Sequence, residues 1–335
     1  MSRPRTAVVA GIISFCALQI ALSNSIESDT LPIRDPIYTE KLSRLQKHPE
    51  FWSARTNPAR PRLIVIGSSR TQLLLDARRL EPGYHAFNFG CSSCGPITQL
   101  LYLQRLMDAG LRADLLAIEI HPALLAELKE PFELRWLQSH RLRPGESERL
   151  QTLGCDLDAI SADRCPWFQA SSHYRRALLN EFAPDLLPGS QAVRRNRTSD
   201  AFGTVASIDA NPALRLELLA NAKAEYQPAF AGYRPGGPAT VALRQMVILA
   251  RANHIRPILF HAPEASEFQS WYGTTGNVRI REFCETLSVE SATPLLNSRD
   301  WLPDGDFVDG HHVTPRGASR FTERLQTELS KLVGP

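Results

Sequence analysis

The stretch that decides the fold reads Pro61-Arg62-Leu63-Ile64-Val65-Ile66-Gly67-Ser68-Ser69-Arg70-Thr71, where a short apolar run ends in a Gly-Ser-Ser turn. The run from 63 to 66 predicts a buried strand, and a helix is expected to start at Thr71 or just after it. A serine at such a turn is exposed at the edge of a sheet, where the helix N-terminus favours negative charge. Ser69 is therefore a candidate nucleophile, although Gly-Ser-Ser is common in turns and serine often caps helices.

From residue 61 onward, short apolar runs alternate with helical stretches, as in successive βαβ units. Strands are predicted at 63–66, 85–89, 115–120, 257–260 and 294–296. Helices are predicted at 98–109, 239–253, 278–287 and 315–332. This alternation predicts an α/β fold with a doubly wound, flavodoxin-like parallel five-stranded sheet. Functional sites in such sheets lie just outside the carboxyl ends of the strands.

The stretch 127–237 breaks the alternation and is rich in Arg, Asp, Pro and Ser, with scattered aromatic residues. It predicts a helical insertion after the third strand. An insertion that leaves the end of this strand could lie over the active face as a lid or groove, or it could be a solvated decoration with its own small core.

The N-terminus predicts export. Arg3 and Arg5 precede an apolar run that extends to Ser23, so residues 1–23 are expected to be a signal anchor or a signal peptide. Ala21-Leu22-Ser23 offers a cleavage site, and positive charge before the run sends the rest of the chain across the membrane. Residues 24–60 are polar and proline-rich and predict a stalk or an N-terminal wrap. The remaining 61–335 is the expected catalytic domain.

The charge of the chain argues against one class of partner, and its cysteines allow more than one pairing. The formal net charge is only +3 and no basic run is present, so nucleic acid is not an expected partner. Of the five cysteines beyond Cys16, Cys155 and Cys165 could be bridged, and the odd count leaves at least one thiol free. The motif Cys91-Ser92-Ser93-Cys94 could be a dithiol redox site, but a loop-stiffening pair is favoured.

A second chemistry-bearing segment lies near the C-terminus, from Phe307 to Ala318. A serine nucleophile needs a base to accept its proton, and that imidazole needs an acceptor that fixes its tautomer. Asp309 and His312, three residues apart on one loop, could fill both roles. The alternatives are a surface Asp-Gly turn, or a metal site of Asp309, His311 and His312. The metal site is disfavoured because consecutive histidines rarely converge on one ion.

Together the two segments resemble the SGNH, or GDSL-like, hydrolase family. Gly67, Ser68 and Ser69 match its first block, and the last block is matched by Asp309, His312, Val313, Thr314 and Gly317. The resemblance implies an SGNH hydrolase fold with Ser69, His312 and Asp309 as the catalytic triad, and no metal or cofactor. It also implies that the backbone N–H groups of Ser69 and Gly90 bind the oxyanion, because Asn88-Phe89-Gly90 matches the second block.

The third block departs from the family. An asparagine that donates to the oxyanion is expected after the third strand, but the chain reads Ala117-Ile118-Glu119-Ile120-His121-Pro122. Loss of one such donor costs about a hundredfold or more in rate, so His121 or a side chain from the Cys91–Cys94 loop would have to substitute. Arg70, His121 and His311 are further candidates for contact with the substrate or with the reacting side chains.

Similar departures occur in the membrane-associated branch of the family, which moves acyl groups on cell-envelope polysaccharides. The resemblance therefore implies a serine esterase or O-acyltransferase that acts on an acylated carbohydrate or a small ester. The expected location is extracytoplasmic, anchored in the inner membrane and facing the periplasm, or secreted if the signal is cleaved. The alternative is a weakly active or inactive module that binds polysaccharide or scaffolds an export complex.

Overall fold

Five parallel strands form one central sheet in the computed structural model of the protein. The strands are β1 (Arg62–Gly67), β2 (His85–Gly90), β3 (Leu115–Ile120), β4 (Arg256–His261) and β5 (Leu295–Asn297). Their order across the sheet is β2-β1-β3-β4-β5, with every neighbouring pair parallel. The predicted α/β class and the all-parallel five-stranded sheet are therefore confirmed, and the strand order is compatible with a flavodoxin-like fold.

Helices connect the strands and precede the sheet. The structure describes residues 3–28, 30–31, 33–54, 57, 59–137, 141–156, 167–183, 186 and 199–333. Within these ranges the helices before β3 are α1 (Arg3–Glu27), α2 (Pro36–Leu45), α3 (Ser69–Leu74) and α4 (Pro96–Asp108). Between β3 and β4 lie α5 (Glu146–Thr152), α6 (Ala170–His173), α7 (Arg175–Phe182), α8 (Pro212–Phe230) and α9 (Gly237–Ala252). The last three are α10 (Ser266–Trp271), α11 (Gly273–Glu290) and α12 (Pro315–Val333).

The two faces of the sheet are buried against different helices. Alternate side chains of β1 point to opposite faces. Ile64 and Ile66 join the cluster that contains residues of α4, α9 and α11, whereas Leu63 and Val65 join the cluster formed with α3 and α12. Burial on both faces explains why β1 and β3 read as nearly continuous apolar runs. Each fully buried Ile or Leu contributes about 1.5–3 kcal/mol of transfer free energy.

Helix α3 starts two residues earlier than predicted, at Ser69 instead of Thr71. The reason is the N-cap, because the Ser68 hydroxyl accepts a hydrogen bond from the Arg70 N–H at 3.2 Å. Ser69 is therefore the first residue of the helix, directly after the carboxyl end of β1.

The region after β3 is largely helical where it is described. Residues 138–140, 157–166, 184–185 and 187–198 of the expected insertion lie outside the described residues, as does Cys165 of the suggested Cys155–Cys165 pair. Helix α8 packs against the turn Pro122–Leu125 that follows β3, so it lies over the carboxyl edge of the sheet. This is the edge at which Ser69 lies, half-buried.

The segment before the sheet packs against it. Tyr38 and Leu45 of α2 and Phe51 belong to the main hydrophobic cluster. Lys41 is fully buried, and its ammonium donates to the backbone carbonyls of Asn88 and Gly203. Residues 38–51 are thus packed against the sheet beside β2. Helix α1 is long and apolar enough over Ala7–Glu27 to cross a membrane.

Candidate active site

The turn between β1 and α3 leaves no room for a side chain at its glycine. A Cβ on Gly67 would collide with the Thr71 hydroxyl and with the Glu119 carboxylate. This close approach brings the first turn of α3 directly onto the strand end and orients Ser69 toward the surface of the sheet edge.

The structure brings Ser69, His312 and Asp309 together. The Ser69 hydroxyl lies 2.8 Å from His312 Nε2, and His312 Nδ1 lies 2.6 Å from Asp309 Oδ2. A carboxylate can only accept, so Nδ1 carries the proton and Nε2 is left to accept from the serine. This arrangement can transfer a proton from the hydroxyl to the imidazole.

The loop that carries His312 is held at both ends. The Val308 N–H donates to the His312 carbonyl at 2.8 Å, and the Thr314 N–H donates to the Asp306 carbonyl at the same distance. Within the loop, Asp309 Oδ1 accepts from the His312 N–H at 2.7 Å. These hydrogen bonds fix the loop, and the loop in turn fixes the position of the His312 imidazole.

The charge of Asp309 is stabilised by its neighbours. Burial would raise the pKa of its carboxyl, but the adjacent imidazoles of His311 and His312 and the hydrogen bonds from His312 lower it below its ordinary value. Asp309 is therefore a carboxylate at neutral pH and can stabilise an imidazolium at His312.

His311 is placed differently from His312. It is buried against the rings of Tyr226 and Phe268, with ring centroids 5.2 and 5.0 Å away. Burial lowers the pKa of His311 to about 3, so its imidazole is neutral. The His311 ring packs between the loop and these aromatic side chains, and it lines the pocket together with His312.

His121 is also buried and neutral. Burial, followed by the charge of Arg70, holds the pKa of His121 well below its usual range. Its Nδ1 has no hydrogen-bond partner in the described part of the chain, and its ring lies 5.6 Å from that of Tyr226. His121 is not among the described residues that line the pocket with Ser69.

Arg70 lies beneath the site instead of in the pocket. Its side chain is 1% exposed and donates to Glu264 Oε1 at 3.1 Å and to the carbonyls of Ala262 and Pro263. The described pocket lining does not include it. The side-chain hydrogen bonds of Arg70 in the described part of the chain therefore go to Glu264, Ala262 and Pro263, and not to Ser69, His312 or Asp309.

Glu119 is a residue of the site that the sequence motif did not point to. Its carboxylate is fully buried and accepts from the Ser68 N–H at 2.5 Å, the Ser68 hydroxyl at 3.1 Å and the Thr71 hydroxyl at 2.8 Å. The available signal was an acidic residue inside the otherwise apolar β3 strand, where an ionised group needs several partners.

Gly90 is engaged elsewhere. Its N–H donates to the Asn88 side-chain oxygen at 2.8 Å, and Asn88 Nδ2 in turn donates to the carbonyls of Thr71 in α3 and Leu75 just after it. A Cβ on Gly90 would collide with the backbone of Gln72. The glycine is therefore needed for packing of β2 against α3, and the predicted oxyanion contact would require its N–H to leave Asn88.

A cavity of about 230 Å³ opens beside Ser69 and His312. Helix α8 supplies one wall with Asn221 and Glu225, which are four residues apart and share a helix face. The loop after β2 supplies Ser92 and Ser93, and Trp136 adds an aromatic surface. Burial and the charge of Asp309 raise the pKa of Glu225, whereas His312 opposes this shift.

The cysteines at the ends of this loop are poor candidates for redox chemistry. Cys91 and Cys94 are buried free thiols. Burial, with the neighbouring Cys91, holds the pKa of the Cys94 thiol well above its ordinary value. Reactive dithiols instead have lowered pKa values and an exposed, electropositive surrounding.

Asp309, His311 and His312 also form a group that could hold a metal ion, since their donor atoms lie within 4.8 Å of one another. However, His312 Nδ1 and Asp309 Oδ2 are in direct hydrogen-bond contact. A zinc ion would have to replace that proton and separate the two atoms. The geometry fits a proton relay better than a metal centre.

Comparison with known proteins includes a weak structural likeness. No protein-family model matches the chain, and no curated protein matches it. Among solved structures, a carbohydrate acetylesterase from Sinorhizobium meliloti aligns over 82% of this chain and 100% of its own, with 12% identity and a TM-score of 0.33. A likeness at that level shows neither the family nor the function of this chain.

Proposed function

We propose that this chain is an SGNH-type serine esterase or O-acyltransferase that acts on an acyl group of a carbohydrate. The observation that carries the proposal is the continuous relay from the Ser69 hydroxyl through His312 to Asp309. Serine hydroxyls are weak nucleophiles, and an adjacent base oriented by a carboxylate is the arrangement that activates them.

In the proposed reaction, Ser69 Oγ attacks the ester carbonyl carbon while its proton passes to His312 Nε2. The tetrahedral intermediate collapses, the alcohol leaves with the proton from His312, and the acyl group stays on Ser69 as an ester. Water or a sugar hydroxyl then attacks the acyl-serine and loses its proton to His312. His312 returns this proton to Ser69 Oγ as the bond between Oγ and the acyl carbon breaks, so that Ser69 and His312 are both regenerated. Water as acceptor gives an esterase and a sugar hydroxyl gives a transferase.

The oxyanion needs N–H donors near Ser69. Ser69 is the first residue of α3, so its backbone N–H has no acceptor within the helix. The positive end of the helix dipole lies at the same place and favours a negative charge there. We assign the second donor to the backbone of the Ser92-Ser93 turn, which lines the same cavity. Gly90 would contribute only if its N–H left Asn88.

The cavity walls suit a sugar ester. Trp136 offers a flat apolar surface for a sugar ring, and Asn221 and Glu225 offer donors and acceptors for its hydroxyls. The helical segment after β3, proposed as an insertion in the SGNH fold, forms this wall through α8. Helix α1 is proposed to anchor the protein in the inner membrane with the catalytic domain outside the cytoplasm.

The test compares wild type with Ser69→Ala and Ser68→Ala, using the full chain in detergent and an acetyl-ester probe. We expect Ser69→Ala to lose at least about a thousandfold in kcat, since it removes the nucleophile. Mass spectrometry of the quenched wild-type reaction should show one added acetyl group on the peptide that contains Ser69. Ser68→Ala, which loses a helix cap, should still form the acyl-enzyme.

Equal rates for wild type and Ser69→Ala, with no acylated peptide, would overturn this function. The missing asparagine after β3 and the engaged Gly90 N–H favour one second candidate, an inactive module that binds polysaccharide. In that case acylated oligosaccharide should still bind, and Trp136→Ala should weaken binding while Ser69→Ala should not.

A further inference from the structure

Helix α1 exposes apolar side chains on most of its described surface but buries the polar side chain of Gln19. Val8, Ile13 and Leu18 are among its exposed residues. Gln19, in contrast, is only 1% exposed although it lies within the apolar part of the helix. A polar side chain in a membrane span normally faces a protein partner instead of lipid.

The partner of Gln19 is a short segment between β3 and β4. Gln19 Nε2 donates to the Ser171 hydroxyl at 2.6 Å, and Gln19 Oε1 accepts from the Ser171 N–H at 3.0 Å. Ser171 belongs to α6, which follows a turn at Trp167–Gln169 and precedes α7. We name residues 167–182 the collar segment. Its first half packs directly along α1.

The collar segment exposes large apolar side chains, two of which lie in the part that packs along α1. Trp167, Phe168 and Phe182 are 45%, 50% and 67% exposed. Arg175 and Arg176, at the start of α7, are exposed as well. Aromatic side chains next to basic ones are typical of surfaces that lie at a membrane–water boundary.

The position of the contact along α1 fits that boundary. The apolar run of α1 ends near Leu22, three residues after Gln19, which corresponds to about 5 Å along a helix axis. Ser171 therefore contacts α1 just inside the end of the apolar run, on the side of the catalytic domain. Lipid headgroups begin at this level if α1 spans the bilayer.

A buried arginine fixes α1 relative to the catalytic domain at the same end. Arg34 donates to the Ile26 carbonyl at 2.9 Å and to the Leu142 carbonyl at 2.8 Å. Ile26, in the last turn of α1, is itself buried. Arg34 thus links the last turn of α1 to Leu142, and the collar segment contacts α1 at a separate place.

We propose that the collar segment lies in the lipid–water interface of the leaflet beside the catalytic domain, docked on α1 through the Gln19–Ser171 pair. This inference rests on the membrane anchoring included in the proposed function. Trp167, Phe168 and Phe182 insert among the acyl chains near the headgroups, and Arg175 and Arg176 face anionic headgroups. The occupant of the exposed apolar surface is thus lipid.

The test uses the full chain in nanodiscs of phosphatidylcholine and phosphatidylglycerol. The acyl chains are either ordinary, brominated near the headgroups or brominated near the bilayer centre, because bromine quenches tryptophan emission on contact. We expect shallow bromine to quench more than deep bromine, and Trp167→Phe to lose most of the quenched emission. Trp301→Phe is the matched control, since Trp301 packs on Phe321 beside the sheet, and it should keep that emission.

Three other outcomes would overturn the proposal, and each of them points to a different explanation. If the protein enters nanodiscs but Trp167→Phe shows the same quenching as wild type, the collar segment is not in lipid and the anchor stands. If Trp167 is shielded from both bromine and aqueous acrylamide, a protein surface covers it instead. If the full chain does not enter nanodiscs, the membrane anchoring fails as well, whereas the acyl-enzyme test at Ser69 is unaffected.

Discussion

The Glu119 carboxylate accepts hydrogen bonds from both the backbone N–H and the hydroxyl of Ser68, the residue before the proposed nucleophile. A third hydrogen bond comes from the Thr71 hydroxyl one turn later. A strand residue thereby holds both sides of the turn that carries Ser69. We infer that Glu119 acts as a positioning residue.

Glu119→Gln should lower kcat by about tenfold to a hundredfold and leave KM nearly unchanged, because a small misplacement of a nucleophile costs rate more than binding. Steady-state kinetics with the acetyl-ester probe measure this split. Glu146→Gln is the control, since Glu146 is another buried carboxylate but pairs with Arg105 away from the pocket. If both variants lose activity only in proportion to lost folded protein, Glu119 is merely structural.

The two adjacent histidines should differ sharply. His312→Gln removes the base that contacts Ser69, so kcat/KM should fall by about a thousandfold or more. His311→Gln changes a neutral ring that supports the loop, so the loss should stay within about tenfold and follow thermal stability. Parallel kinetics and thermal melts of both variants check this. Equal losses of kcat/KM would contradict the assigned register.

The sheet could be predicted from sequence, whereas the pocket could not. The strands are local apolar runs, and all five predicted ones are present at nearly the predicted positions. Asp309 and His312 are close in sequence, so their contact could be expected from spacing alone. The role of Glu119 and the place of Glu225 in the pocket wall depend on which segments of the chain meet at the sheet edge. The spacing of apolar residues predicts single strands and helices, but it does not predict these contacts between distant segments.

The groups that surround Ser69 are brought there by packing between distant segments of the chain. Asn221 and Glu225 reach it only because α8 packs over the turn that follows β3. In the same way, the Gly90 N–H is taken by Asn88, a side chain two residues earlier whose direction no motif specifies. Long-range packing therefore decides which groups surround the proposed nucleophile.

Chelators should leave the activity intact, whereas zinc should inhibit it. The proton shared by His312 Nδ1 and Asp309 Oδ2 occupies the place that a metal ion would need. Zn²⁺ added in excess can displace that proton and hold His312 away from Ser69, because the three donor residues lie close enough to bind it. Rates measured with EDTA, with Zn²⁺, and with Zn²⁺ followed by EDTA check this. Activity lost to EDTA alone would favour the metal site instead.

Acid should destabilise the protein through the buried carboxyl of Glu264. Burial alone would raise the pKa of this carboxyl, but the charges of Arg299 and Arg70 lower it to about 2, from 4.5 in the unfolded chain. The folded pKa is the lower one, so the stabilisation is fully present above about pH 4.5 and is lost as the pH falls toward 2. This difference corresponds to about 3 kcal/mol. Arg299→Met should flatten the fall in melting temperature over that range, whereas Glu323→Gln, which removes an exposed pair with Arg79, should not. A wild-type profile that is as flat as that of Arg299→Met would contradict this account of the buried pair.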